Sequence, residues 1–225
     1  MDGGVPRGSL RISAVSTADS DNTAWMHLNG HFGAAVECWR IELAIESAKY
    51  KVAAHEGSLE LRDYPPIVIA VAAVDGTRSH AVNAGFRLLA DYIFGKNQWT
   101  SRIALTAPVT QSPRSPGEPF MTNIEHSSSW TISFMMPAGY AMQSLPAPTD
   151  VRVHFERAPP RRLAAIRFSG FWSNANLECH EIQLLRWLHM EHVTALSAPI
   201  YAYYDPPWIP WFLRRIEVLI EIASN

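Results

Sequence analysis

From residue 59 onward the alternation of apolar and polar positions is written twice. The stretches "LELRDYPPIVIAVAAVDG" (59–76) and "VHFERAPPRRLAAIRFSG" (153–170) align without a gap, Pro65 and Pro66 on Pro159 and Pro160, Ala70 on Ala164, Gly76 on Gly170. Each opens with period-2 alternation, Leu59 and Leu61 in one and Val153 and Phe155 in the other, then breaks at the proline pair. A β-rich run to the glycine follows. Proline lacks the ladder N–H, so each pair predicts a corner where one strand turns into the next.

After each glycine the period changes to that of a helix. Ser79 predicts an N-cap for "HAVNAGFRLLADYIF", with Val82, Phe86, Leu89 and Ile93 inward and Gly95 as the stop. Ser173 predicts the cap of "NANLECHEIQLLRWLHM", with Leu177, Leu184, Leu185 and Leu188 inward. Two strands follow each helix: "RIALTAPVTQ" (102–111) and "WTISFMMP" (130–137), then "APIYAYY" (198–204) and "IEVLIEI" (216–222). The predicted fold is α+β, a distorted antiparallel β-barrel built from two pseudo-symmetric ββαββ repeats with two flanking helices. Residues 1–24 lack periodicity and predict a disordered leader; 25–48 read as a lead-in of unassigned structure, and 49–225 as one domain. The Pro/Ser-rich stretch 112–129 predicts a long mobile loop.

Composition narrows the function. Hydrophobic residues are 48% of the 225 and charged residues 18%, the balance of a globular chain. A net charge of −2 provides no positive field for nucleic acid, so no such partner is expected. The two isolated cysteines, Cys38 and Cys179, fit a reducing compartment. With no apolar h-region near residue 1 and no run of 18 apolar residues, the expectation is a cytoplasmic protein without a transmembrane segment.

Candidate chemistry is sparse. The helix around 174–190 carries Cys179-His180 and leads into "HMEH" (189–192), but His180 and His189 fall on opposite sides of a helix. No HExxH, nucleophile elbow, P-loop or GxGxxG occurs, and neither a metal site nor a catalytic residue is expected. Glu60 with Asp63, and Glu178 with Glu181, read as ordinary exposed carboxylates. The stretch "YDPPWIPWFLRRIEVLIEI" (204–222) leaves three readings open for Trp208, Ile209, Trp211, Phe212 and Leu213: a membrane-dipping loop, a core corner, or the wall of a pocket for a flat apolar ligand.

A family resemblance bears on that choice. "ELRDYPP", "NAGFRLLADYIFGKN", "IALTAPVTQ", "SFMMPAGY", "LPAPTDVRV", "IRFSGFWS" and the final stretch, in order from about Lys49 to Ile222, resemble the SOUL/heme-binding protein family. TAPV (106–109) and PPW…LRR (206–215) are the most specific motifs. The resemblance implies non-covalent binding of heme or related tetrapyrroles in a shallow apolar groove beside the first helix, as carrier, buffer or scavenger. Carried over by motif, the groove is Asn83, Phe86, Arg87, Ala90 and Asp91, closed by Trp208 and Ile209. Other members have basic residues where this chain has Asn83, Asp91 and Ile209, which leaves Arg87 as the counter-charge for a propionate. Some animal members have a histidine, proposed as axial ligand, at the position of Asp63, and aspartate is a poor ligand for heme iron. The doubled architecture also resembles effector-binding domains of multidrug-responsive regulators, which hold flat cations against an acidic residue; Asp91 would suit that role. A tetrapyrrole-modifying enzyme, such as a dechelatase, is a third reading, for which no acid or base is identified.

Overall fold

The computed structural model describes residues 46–114, 124, 127–206 and 208–223. The predicted leader, residues 25–45 of the lead-in with Cys38, and most of the loop 112–129 lie outside the described residues. In chain order the elements are β1 (Glu46–Ser47), β2 (Lys51–Glu56), β3 (Leu59–Tyr64), β4 (Ile67–Asp75), α1 (Arg78–Ile93), β5 (Thr106–Ala107), β6 (Val109–Pro113), β7 (Ser129–Met135), β8 (Val153–Ala158), β9 (Arg161–Phe168), α2 (Asn174–Met190), β10 (Ile200–Tyr203) and β11 (Ile216–Ile222). The chain is α+β, with one large antiparallel sheet and two helices.

The nine-stranded sheet has the order β2-β3-β9-β11-β10-β6-β7-β4-β8 and is open. This corrects the barrel expectation. The edge strands are β2 and β8, and they do not pair; the edge of β3 that an eight-stranded closure would offer β8 is taken by β2. The closing role is pre-empted by β2, which turns back onto β3 at Gly57 (φ +60°).

The proline pairs also behave differently from a simple corner. β3 and β4 do not pair with each other; β3 pairs with β9 and β4 with β8. The register passes through the breaks without slipping, from Tyr64↔Arg161 to Ile67↔Ala158, which sets Pro65–Pro66 opposite Pro159–Pro160. Four residues that cannot serve a ladder thus share one gap in it. Exchanging β3, β4, β6 and β7 for β8, β9, β10 and β11 reverses the strand order from β3 to β8 onto itself.

α1 packs on β4 and β7, α2 on β9 and β11. Beneath them lies the main core, which includes Ala70, Leu89, Ile132, Phe134, Ile166, Leu177, Leu184 and Val218. The alternate residues Leu163, Ala165 and Leu219 face a smaller cluster with Tyr64 and Tyr204 on the other side of the sheet. There Arg62 holds Glu217 through two bonds of 2.6 and 3.0 Å. Arg215 (2.9 and 3.0 Å) and the Tyr204 hydroxyl (2.9 Å) add to that grip. The Tyr50 ring lies 4.3 Å from the Arg62 guanidinium, tying the chain before β2 to this cluster.

The helix ends separate two cases. α2 is capped by Ser173, as its sequence predicts, with Oγ accepting from the Asn176 N–H. α1 begins earlier than predicted: Thr77 is the cap, its Oγ1 accepting from the His80 N–H, and Ser79 lies inside the first turn. The buried face of α1 is also rotated, carrying Ala81, Gly85, Leu89, Tyr92 and Ile93, while Val82 and Phe86 are half-buried at its margin. Gly85 causes the rotation. A Cβ there would stand 2.3 Å from Ile132 Cγ1, so the missing side chain is what lets the helix settle on β7.

Candidate functional site

The five helical candidates share one side of α1. Positions 83, 86, 87, 90 and 91 are successive turns of a single stripe, roughly opposite the Gly85 face. Phe86 and Ala90 form its inner margin: Phe86 is half-buried and meets Phe134 edge to face at 5.4 Å, and Ala90 is buried. Asn83, Arg87 and Asp91 form the exposed margin. The Asn83 amide donates to the Ser79 carbonyl at 2.8 Å, so it is turned back along the helix. Asp91 is ion-paired with Lys96 at 2.8 Å.

Beside the C-terminal half of this helix lies a groove of about 420 Å³, lined by Leu88, Asp91, Tyr92, Lys96 and the turn Pro148–Val151 with Val153. Lys96 and the turn were missed from sequence. Lys96 follows the Gly95 stop signal, and only the fold brings 148–151 alongside it. In that turn the hydrogen bonds from Arg152 hold the Asp150 carboxyl down at about 2, and burial pushes the Tyr92 phenol up.

Trp208 and Ile209 sit at the other end of α1. The contacts that fix their loop run to the turn before α2. Gly170 N–H donates to the Trp211 carbonyl at 2.9 Å, Phe171 stacks on Trp211 at 5.2 Å, and Arg214 donates to the Ile209 carbonyl while lying over Trp172. Trp172 reaches α1 through its carbonyl, which accepts from Arg78 Nη2. Arg78 opens α1 and Asp91 lies ~20 Å further along the axis, at about 1.5 Å per residue. The groove and the aromatic loop therefore mark the two ends of the stripe.

Arg78 is a second residue that the sequence reading missed. It is buried and bonded to neutral groups, Asn174 Oδ1 at 2.7 Å, the Tyr203 hydroxyl at 2.8 Å and the Trp172 carbonyl. Burial pushes the Tyr203 phenol up to about 12 against the opposing charge of Arg78. Gln111 completes the chain, accepting from Tyr203 and donating to the Arg78 carbonyl. The cluster joins the N-termini of both helices.

Asp63 is engaged elsewhere. Arg162 donates to both of its oxygens, at 2.6 and 2.9 Å, and holds its carboxyl below the usual carboxylate range. Glu60 turns to Arg62, and Glu181 accepts from Tyr201, so neither carboxylate pair converges. His180 stacks on Phe168 at 3.7 Å with Nδ1 against the Asn176 carbonyl, the geometry of a packed, helix-bound ring. Among the described residues no three metal-ligating side chains gather. His80, exposed one turn before Asn83, has its ring back against Gly76, ahead of the helix.

A family profile described as SOUL heme-binding protein matches residues 45–221. The chain belongs to this family. Among SOUL relatives, mouse heme-binding protein 2 is 32% identical over 118 residues, 52% of this chain and 55% of the mouse protein. The chain spans about half the length of the curated relatives it matches. Two solved structures share the fold alone. The EcmrR C-terminal domain has a TM-score of 0.58 at 11% identity, covering 78% of this chain and 99% of that domain. An uncharacterized conserved protein from Listeria innocua has a TM-score of 0.54 at 12% identity, covering 76% and 94%.

Proposed function

We propose that this SOUL-family chain binds heme or a related tetrapyrrole non-covalently along the outer stripe of α1, as a carrier, buffer or scavenger and not as an enzyme. The observation that carries the reading is the groove beside α1, where Leu88, Tyr92, Val151 and Val153 give apolar surface, Asp91 and Asp150 are each held by a neighbouring cation, Lys96 and Arg152, and Arg87 stands exposed on the same helix. An apolar wall with a cation at its rim fits a macrocycle that bears carboxylates. The Asp91–Lys96 pair engages the anchor of the flat-cation alternative and one cation of the heme reading alike, so exposed Arg87 on the same helix is what favours a ligand that bears carboxylates. Asp63 is occupied by Arg162 and the His80 ring lies back against Gly76, so apolar burial and the propionate contacts, not axial ligation, would hold the macrocycle. The reversing strand order supports treating the two ββαββ halves as equivalent units, each presenting one helix.

Hemin titration followed by absorbance tests this. Arg87→Ala and Lys96→Ala should each weaken binding by about 1–3 kcal/mol, the scale of a hydrogen bond to a charged group. Asp63→Ala should leave the Soret band in place. Unchanged affinity in both cation variants would remove the stripe from the site, and a Soret band lost with Asp63 would move the iron to β3.

A further inference from the structure

The aromatic loop is not a core corner. Trp208 (40% exposed), Trp211 (48%), Phe212 (57%) and Leu213 (65%) reach solvent together with Phe171 (59%) of the neighbouring turn. They form one surface: Phe171 stacks on Trp211, and Phe212 meets Trp211 edge to face at 5.5 Å. The backbone beneath is held in place. Ile209 N–H donates to the Pro206 carbonyl, Leu213 N–H to the Pro210 carbonyl, and Gly170 N–H to the Trp211 carbonyl. A chain so restrained cannot fold these side chains inward, so their exposure is built in.

We infer that this tip docks on an anionic lipid surface, with Trp211, Phe212 and Leu213 entering the headgroup boundary. Charge selects the occupant. Segments 167–176 and 208–215 carry Arg167, Arg214 and Arg215 and no carboxylate; Arg215 is paired with the buried Glu217 and Asp205 accepts from the Arg215 N–H, so Arg167 and Arg214 supply the positive charge of the tip. Arg167 is exposed, and the half-buried Arg214 lays its guanidinium over the Trp172 ring with Nε donating to the Ile209 carbonyl. Tryptophan and arginine side by side are the residues that settle at a membrane–water boundary, the ring amphipathic and the guanidinium drawn to headgroup phosphates. Size argues against a protein partner: half-exposed side chains of about 200 Å² each give roughly 500 Å², short of the ~800 Å² per side of a stable interface. This docking is independent of the heme reading, whose cations lie on α1 and beside the groove.

Sedimentation of the full chain with sucrose-loaded vesicles tests the inference. Phosphatidylcholine vesicles with about one third phosphatidylserine should bind the chain, pure phosphatidylcholine far less, and high salt should release it. Trp211→Ser with Phe212→Ser should lower the partition coefficient at least about tenfold. Arg167→Gln should lower it on phosphatidylserine alone. Brominated acyl chains should quench tryptophan fluorescence of the unaltered protein, a readout that does not depend on the variants folding. No vesicle binding, or undiminished binding by the double variant, overturns the inference. So does loss of a self-associated species in the double variant without any vesicle effect, which makes the tip an interface between copies. Loss of hemin binding without loss of vesicle binding makes it the heme wall.

Discussion

Gly85 shows how much one missing side chain decides. It stands at the centre of the α1 face, where a methyl group would meet Ile132 at 2.3 Å from Cγ1 and 2.7 Å from Cβ. Gly85→Ala improves helix propensity by about 1 kcal/mol but overpacks a close-packed seam at a cost of about 1–3 kcal/mol. The atoms in the way belong to a β-branched side chain held in the sheet, so the clash should win. A lower urea midpoint with unchanged slope is the expected result, and a higher midpoint would mean that α1 can slide on β7. The same residue explains why the inward face was misjudged: periodicity counts large apolar residues, and a glycine that makes the closest contact adds nothing to the count.

Among the elements, the two helices differ in how openly their starts are written. Ser173 precedes α2 directly, and its hydroxyl bonds the third residue of the helix. For α1 the sequence reading takes Ser79 and passes over Thr77, a second hydroxyl two residues earlier. Arg78 settles it, because its bonds to Asn174, Tyr203 and the Trp172 carbonyl draw the chain into helical geometry one residue after Thr77. Thr77→Ala should therefore cost about 1 kcal/mol, the usual value of a cap, and Ser79→Ala less than about half of that. Thermal melts of the two variants side by side check this, and equal losses would return the cap to Ser79.

For the whole molecule, the buried cluster around Glu217 links Tyr50 ahead of β2, β3, Tyr204 just after β10, and β11 into one acid-sensitive unit. Burial acts to raise the Glu217 carboxyl, but the hydrogen bonds and charge of Arg62, with those of Arg215, outweigh it and leave it below the usual carboxylate value. A carboxyl lower in the folded than in the unfolded chain contributes stability above its unfolded value and loses it as pH falls through the folded one. Unfolding free energy should then decline as pH drops below about 4.5, the ordinary glutamate range. Glu217→Gln should flatten that decline while lowering stability at neutral pH by about 3–5 kcal/mol, since Arg215 loses its counter-ion and buried Arg62 keeps only Glu60. Urea midpoints across a pH series measure both effects. A variant that keeps the full acid decline would assign it to other carboxylates.

Local chemistry by itself determined the ββαββ succession, the position and cap of α2, the β-rich runs of β9 and β11, and the family motifs, because each of these depends on neighbours within one or two turns of chain. It also placed Asn83, Phe86, Arg87, Ala90 and Asp91 on one side of a helix, a consequence of spacing alone. Strand pairing was decided only in three dimensions. The proline pairs read as corners where one strand turns into the next, which left the partners open; β3 goes to β9 and β4 to β8, across residues about a hundred apart. β2 takes the edge of β3 that an eight-stranded closure would use, and it has no buried face to betray it in the pattern. The cation beside the groove, Lys96, and the buried Arg78 were invisible for the same reason: charge and hydrogen-bond partners are set by tertiary neighbours, and a one-dimensional pattern holds no distances.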